Sequence, residues 1–389
     1  MKILYFDYNA ASPVRPEVRT TMETFLNDLF GNPSSLHAVG RKAKSVLERV
    51  RSELLLALGD RRGNLIFTSG GTEADNLAIK GAARAGKERG THVLISAVEH
   101  SAVLHAAQAL QGEGFRVEMI PVDAQGVVDL EYLKKALASD TLLVSIMQGN
   151  NEVGTLQPIE EAARITKERG VLFHTDAVQS FGKIPLDVRH PELDLVSLSA
   201  HKLGGPKGVG ALYVREGVKL ESLLHGGPHE RNLRAGTEAV PAVAGFGAAA
   251  SATLLEQTNG TVKQIRDLRD RLWSGLQKRV GEMEFNGHPQ QRLPGTLNVS
   301  FLGCKGETLV AALDLAGICV STGSACSSGS TEPSHVLTAM GLSPQRIAGS
   351  IRFSLGWATT ETDIEEALER IPPVIEQVRK SSRSAAVHG

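Results

Sequence analysis

Two rhythms of apolar residues run along the chain. Between about Asn64 and Val214, short apolar runs alternate with segments whose apolar positions recur every three or four residues. LIFTS (65–69), HVLISA (92–97), FRVEMIPV (115–122), TLLVSIM (141–147), VLFHTDA (171–177), DLVSLSA (194–200) and GALYVR (210–215) read as strands. SAVLHAAQAL, DLEYLKKAL and IEEAARITKERG, lying between them, read as helices. Such alternation predicts an α/β domain with a mostly parallel sheet and helices on both faces. In sheets of this kind ligands bind outside the carboxyl ends of the strands.

A long helical pattern follows from about Val240 to Val280, with a break expected near Asn259-Gly260. After it come the strand-like TLNVSF (296–301), ICVS (318–321) and IRFSL (351–355), the helical ETLVAALDLAG, and an amphipathic helix from about Thr362. This predicts a smaller α+β domain onto which the N-terminal segment packs. The expected division is 15–255 for the large domain, and 1–14 with 256–389 for the small one. About the last ten residues read as unstructured, on composition.

Bulk properties narrow the field. The chain has 389 residues, 41% of them hydrophobic, which suits more than one core. Its 42 basic and 43 acidic residues leave a formal charge of −1, with no long block of one sign, so nucleic acid is not an expected partner. No apolar run reaches the ~18 residues of a membrane helix, and MKILYFDYNAAS has none of the features of a signal peptide. A cytoplasmic protein is expected. Three cysteines, Cys304, Cys319 and Cys326, form neither a disulfide framework nor a zinc-ligand pattern. Cys319, in AGICVST, reads as core, and Cys304 receives no role. Cys326 stands apart, in the glycine- and serine-rich TGSACSSGS of residues 322–330.

Five stretches, each just past an expected strand, carry candidate chemistry. In SAHKLGGPKG (199–208), Lys202 follows a buried strand, where desolvation lowers an amine's pKa and favours a Schiff base. A solvated loop lysine is the plain alternative. In HTDAVQSFGK (174–183), Asp176 is either a helix cap or the carboxylate that keeps a pyridine nitrogen protonated in a pyridoxal phosphate enzyme. Gln179 could hydrogen-bond the ring oxygen. In FTSGGTEADN (67–76), two glycines turn the chain into a helix whose N-terminus suits a phosphate, or merely carries a cap at Thr72. His100, in AVEHSAVL, and the asparagines of QGNNEVGT (148–155) reach the same sheet edge. Singly each signal is weak; together they furnish a pyridoxal phosphate site.

The motifs NNEVGT, HTDAVQSFGK, SAHKLGGPKGVGALYVR, RAGTE and GSACSSGSTEPSHVL closely resemble those of the cysteine desulfurases. These are fold-type I pyridoxal phosphate enzymes of the class V aminotransferase branch. The likeness runs from DYNAAS at residue 7 to IRFSLGWATT at residue 360, and the cysteine loop resembles the iron–sulfur-assembly and nitrogen-fixation type. The resemblance implies that Lys202 binds the cofactor covalently, that Asp176 pairs with its ring nitrogen and Gln179 with its ring oxygen. It implies a phosphate site from Gly71, Thr72, Ser199 and His201, completed by Thr237 of a second subunit in a homodimer. His100 would stack on the ring and help move protons, and Asn151 and Arg352 would hold the carboxylate of L-cysteine. Cys326 would take the substrate sulfur as a persulfide, leave alanine, and pass sulfur to an acceptor or iron–sulfur scaffold protein. The resemblance implies no resident metal, only a transient iron–sulfur ligand role for Cys326. Glu332 and His335 would anchor the cysteine loop. The residues alone also admit an aminotransferase or lyase that gives Cys326 no work, a selenocysteine lyase, or a silent interaction protein.

Overall fold

The computed structural model describes residues 2–28, 30–322 and 332–388. Cys326 therefore lies outside the described residues. The chain opens with β1 (Leu4–Tyr5), α1 (Pro16–Asn27) and α2 (Ala38–Ala57). The central sheet follows: β2 (Asn64–Thr68), β3 (His92–Ser96), β4 (Arg116–Ile120), β5 (Thr141–Ser145), β6 (Leu172–Asp176), β7 (Leu195–Ser199) and β8 (Gly210–Val214). Its order is β2-β8-β7-β6-β5-β3-β4. The strands from β3 to β7 pair in parallel, while β8 is antiparallel to both β7 and β2. This is the mostly parallel α/β sheet expected from the alternation.

The helices between and around these strands cover both faces. They are α3 (Gly71–Asn76), continued by a π-helical turn (Leu77–Gly81) into α4 (Ala82–Ala85), then α5 (Ser101–Gln111), α6 (Leu130–Ala136), α7 (Ile159–Lys167) and α8 (Val240–Thr258). Successive strand residues point to opposite faces. Leu65, Phe67, Leu94, Phe173, Val196 and Leu198 pack with α2, α6, α7 and α8. Ile66, Val93, Ile95, Leu143, Leu195 and Leu212 pack with α3, α4 and α5. Burial on both sides is why these strands read as continuous apolar runs. By the same alternation Ser145, His174, Asp176 and Ser197 sit on the α3/α5 face.

The later elements are α9 (Thr261–Arg279), β9 (Met283–Asn286), β10 (Thr296–Phe301), α10 (Gly306–Leu315), β11 (Ile318–Cys319), β12 (Ser321–Thr322), α11 (His335–Ala339), α12 (Pro344–Ala348), β13 (Ser350–Ser354) and α13 (Glu361–His388). Of these, α9, β10, α10, β11, β13 and α13 build a second core, while α11 and α12 pack in a smaller separate cluster. Four strands form an antiparallel sheet ordered β12-β13-β10-β9. The N-terminus joins it, since β1 pairs with β11 and Asp7 bridges to Ser354. Leu4 and Phe6 pack there with Leu268, Leu297, Phe353 and Ile371. The break after α8 falls where the sequence predicts it, with Gly260 at φ +92°, a left-handed conformation that glycine adopts freely. The expectation of an unstructured tail is corrected, because the backbone of α13 stays helical through His388. Cys304 is buried and Cys319 only half-buried. Among the described residues, no helix is long and apolar enough to cross a membrane.

Candidate active site

The carboxyl ends of the sheet strands open into a cavity of about 460 Å³. Gly71, Thr72, His100, Asn151, Asp176, Gln179, His201, Lys202 and Arg352 all line it, so nine of the residues singled out in the sequence converge on one space. Ser199 stands beside them and shares a hydrogen bond of 2.8 Å with Nδ1 of His201. Thr237 does not line the cavity and is exposed. Its segment is tethered to the cavity rim by Arg234, whose Nε donates to Glu73 at 2.9 Å.

Lys202 follows β7 in a single 3-10 turn (Ala200–Lys202). Its amine donates to the carbonyls of Asn9 at 2.6 Å and Ala10 at 2.8 Å. The Asn9 carbonyl also accepts from Nε2 of Gln179 at 2.9 Å. The loop bearing these carbonyls is closed by the Tyr5 hydroxyl, which donates to Ala11 O at 2.6 Å. The N-terminal segment is thus part of the site as well as of the second core. Behind Lys202 lies Lys183, whose amine is pushed down to about 7 by burial and by the Lys202 charge.

Asp176 ends β6 and accepts from the backbone N–H of Val178 at 2.8 Å. Burial raises its carboxyl to about 6, against the pull of that N–H and of the Lys202 charge. The phosphate-type cradle is the turn from β2 into α3. Gly70 has φ +155°, and a Cβ on Gly210 would meet its backbone at 2.6 Å. A Cβ on Gly71 would strike Val178 at 2.8 Å. The glycines therefore let two backbone segments and a side chain close around the helix start. His201, pushed down to about 4 by burial and then by the Lys202 charge, is a neutral donor or acceptor here.

His100 caps α5 through Nδ1, which accepts from Ala102 N at 3.1 Å. Burial first, then the charge of Lys202, hold it down to about 4. The ring is neutral near pH 7, and the occupied Nδ1 leaves its proton on Nε2. Arg352, on β13, donates to the Asn151 carbonyl at 3.1 Å and to Asp7 at 2.9 Å, while 1% exposed. The second core thus supplies the guanidinium, and the sheet supplies the carboxylate and amine.

The root of the cysteine segment is bound to the rim. Ser334 donates to Glu152 at 2.6 Å in a buried contact, and His335 Nε2 pairs with Glu99 O at 2.9 Å. Val336, Leu337 and Met340 pack on Val98 and Val153. The sequence reading missed Asn9, Asp75, Glu99, Glu152 and Lys183. All five lie inside stretches quoted above, Asn9 in DYNAAS, Asp75 in FTSGGTEADN, Glu99 in AVEHSAVL, Glu152 in NNEVGT and Lys183 in HTDAVQSFGK, which was the available signal.

Among the described residues, three buried polar atoms without a hydrogen-bond partner belong to side chains lining the cavity: Oδ1 of Asp75, Oε1 of Gln179 and Nε of Arg352. Unpaired polar atoms in a dry wall are costly, so this cavity is built for a polar occupant.

The family model for class V aminotransferases matches residues 4–367. The chain is 47% identical to the cysteine desulfurase IscS of Methanosarcina thermophila, over 98% of this chain and 94% of that protein. It is also 47% identical to the cysteine desulfurase IscS of Dictyoglomus turgidum, over 97% of this chain and 96% of that protein. Of solved structures, a NifS-like protein superposes with a TM-score of 0.91 at 39% identity, covering 96% of this chain and all of the other. The likeness spans both cores and every stretch that builds the cavity, and the chain belongs to the cysteine desulfurases of the class V aminotransferase family.

Proposed function

We propose that the cavity binds pyridoxal phosphate and L-cysteine, and that the chain moves the substrate's sulfur onto Cys326. The observation that carries this reading is the convergence of the Lys202 amine, the Asp176 carboxylate and the Arg352 guanidinium on one cavity with unpaired polar atoms in its wall. The residues fit the cofactor's chemistry. Asp176 suits a ring nitrogen, Gln179 the ring oxygen, and Lys202 a covalent link through its amine. Gly71, Thr72, Ser199 and His201 suit a phosphate at the start of α3. Bound there, pyridoxal phosphate supplies an electron sink for charge developing at the substrate Cα.

The chain's own residues do the rest. Arg352 and Asn151 hold the substrate carboxylate; a guanidinium suits that bidentate task. Lys202, whose amine would link the cofactor before substrate arrives, would serve as the base that takes the proton from Cα and returns one to the carbon skeleton. Asp176, charged at neutral pH, holds the ring-nitrogen proton. His100, neutral and protonated at Nε2, donates rather than accepts at that nitrogen. Cys326, as thiolate, attacks the substrate sulfur: an S–S bond forms, the Cβ–S bond breaks, and the carbon fragment leaves as alanine after protonation. The persulfide then passes to a sulfur-acceptor or iron–sulfur scaffold protein.

The exposed Thr237 supports a homodimer in which it reaches the partner subunit's phosphate. The two separate hydrophobic cores support a division at 15–255 and 1–14 with 256–389. A cytoplasmic location goes with this reading. The test is optical. Purified protein with pyridoxal phosphate is expected to show the yellow absorption of a lysine-linked cofactor, and Lys202→Ala to lose it. A yellow Lys202→Ala protein, or colourless wild type after reconstitution, overturns the assignment.

A further inference from the structure

Next to Asp176 lies a second carboxyl that the reading above leaves without work. Asp75, on α3, is 1% exposed and lines the same cavity. Its Oδ1 has no hydrogen-bond partner and lies 3.7 Å from His174 Nε2. That histidine cannot neutralise it. His174 is fully buried, shares Nδ1 with the Ser145 hydroxyl at 2.8 Å and Nε2 with the Ser197 hydroxyl at 3.0 Å. Burial pushes it down to about 3, so the ring is neutral. Ser197 is the direct neighbour of Asp176 across the β6–β7 pairing. Its hydroxyl meets His174 Nε2, the same nitrogen that stands 3.7 Å from Asp75 Oδ1. The His174 ring, two residues from Asp176 on the same face of β6, therefore places the Asp75 carboxyl beside Asp176 on the α3/α5 face of the sheet.

The other charged groups facing this cluster do not offset a second negative charge. Glu99, from the loop before α5, is fully buried, with Oε1 accepting from Met147 N at 2.6 Å and Oε2 without a partner. Glu73, on the same helix as Asp75, is engaged by Arg234 and Ser69. Lys202 acts on Asp176, which also holds the Val178 N–H. A buried carboxylate with neither cation nor full hydrogen bonding is expensive, and two close carboxylates cannot both ionise in a dry site.

We propose that Asp75 and Asp176 act as one carboxyl pair beside the His174 ring, with Asp75 neutral and proton-bearing and Asp176 charged, so that Asp75 sets how tightly Asp176 holds the proton of the cofactor's ring nitrogen. This rests on the pyridoxal phosphate reading for its consequence, but not for the pair itself. Burial, then the Asp176 charge, also drive the Asp75 carboxyl well above the ordinary carboxylate range. Asp75 is a positioning residue here, acting through Asp176. As pH rises and Asp75 ionises, the added negative charge holds the ring proton to higher pH.

The experiment has two arms on the full chain. In infrared difference spectra of wild type minus Asp75→Asn at pH 7, the carbonyl band of a protonated carboxylic acid is expected in wild type and absent from the variant. The absence of such a band overturns the pair, whether or not cofactor binds. In the second arm, the ¹⁵N shift of labelled pyridoxal phosphate reads ring protonation against pH. Asp75→Asn is expected to match wild type at pH 7 and to lose the ring proton at lower pH than wild type under alkaline conditions. Identical curves throughout, or a ring already deprotonated at pH 7 in the variant, contradict it. Ser197→Ala is the second variant, expected to keep the Asp75 acid band, because the proton stays on Asp75 through its burial beside Asp176; loss of the band in this variant contradicts the pair. If no cofactor binds, the functional reading fails while the infrared arm still decides the pair.

Discussion

The Lys202 amine donates to the backbone carbonyl of Asn9 at 2.6 Å, joining the end of β7 to a loop that is hydrogen-bonded to the second sheet, where Asn9 N donates to Ser354 Oγ at 2.9 Å. The Asn9 side chain fixes that carbonyl, since its Nδ2 donates to Asn151 O at 3.0 Å and Thr296 Oγ1 at 2.9 Å. Replacing Asn9 by Ala removes a buried donor from two acceptors. A loss of about 1–3 kcal/mol is expected from such a deletion. Urea denaturation measures it, and an unchanged midpoint would show that the side chain does not hold the loop.

Arg352 is held in place before substrate arrives, by Asp7 and the Asn151 carbonyl. Lysine keeps the charge but loses the planar fork. Arg352→Lys is expected to raise KM for L-cysteine by about tenfold or more, with a smaller change in kcat, because the lost contact is made in ground and transition states alike. Steady-state kinetics decide this; a variant with normal KM would take the carboxylate away from Arg352.

His100 is a base whose pKa is pushed down to about 4. It is protonated only below that pH and neutral throughout the range from 6 to 9. The pH profile of kcat/KM therefore carries no limb from His100 in that range. His100→Gln is expected to lower kcat by about a hundredfold, the scale of one positioned proton-transfer group. An acid limb near 6.5 that disappears in this variant would contradict the neutral assignment.

Glu152 receives the Ser334 hydroxyl at the root of the cysteine segment, and burial raises its carboxyl from 4.5 to about 7. The folded state favours the protonated form. The corresponding stability is full below the unfolded pKa and is lost as pH rises from about 4.5 to 7. Glu152→Gln removes that loss. Its stability relative to wild type is expected to rise across this window by on the order of 3 kcal/mol and then level off. Denaturation series at pH 5 and pH 8 test the sign; a difference that does not grow with pH would mean Glu152 is charged in the fold.

Much of the fold was legible because the sheet is buried on both sides. Runs such as HVLIS and TLLVS stand out as strands when every residue faces a core. The break at Asn259-Gly260 was legible because left-handed backbone calls for glycine. β9 was missed because its residues are mostly half-buried and form no apolar run. The site residues at strand ends were found by their chemistry and position. Asp75 and Lys183 were not, since a carboxylate and an amine in a polar string look solvated until the packing around them is known. Asn9 acts partly through its backbone carbonyl, which no side-chain pattern reports.

The central claim is sulfur transfer through Cys326. The most direct test supplies L-cysteine and a reductant to the purified, cofactor-loaded protein and quantifies alanine and sulfide together, beside Cys326→Ala. Equal amounts of both products from wild type and neither from the variant are predicted, with the variant keeping its cofactor colour. Full turnover by Cys326→Ala, or no alanine from a yellow wild-type protein, would contradict the account.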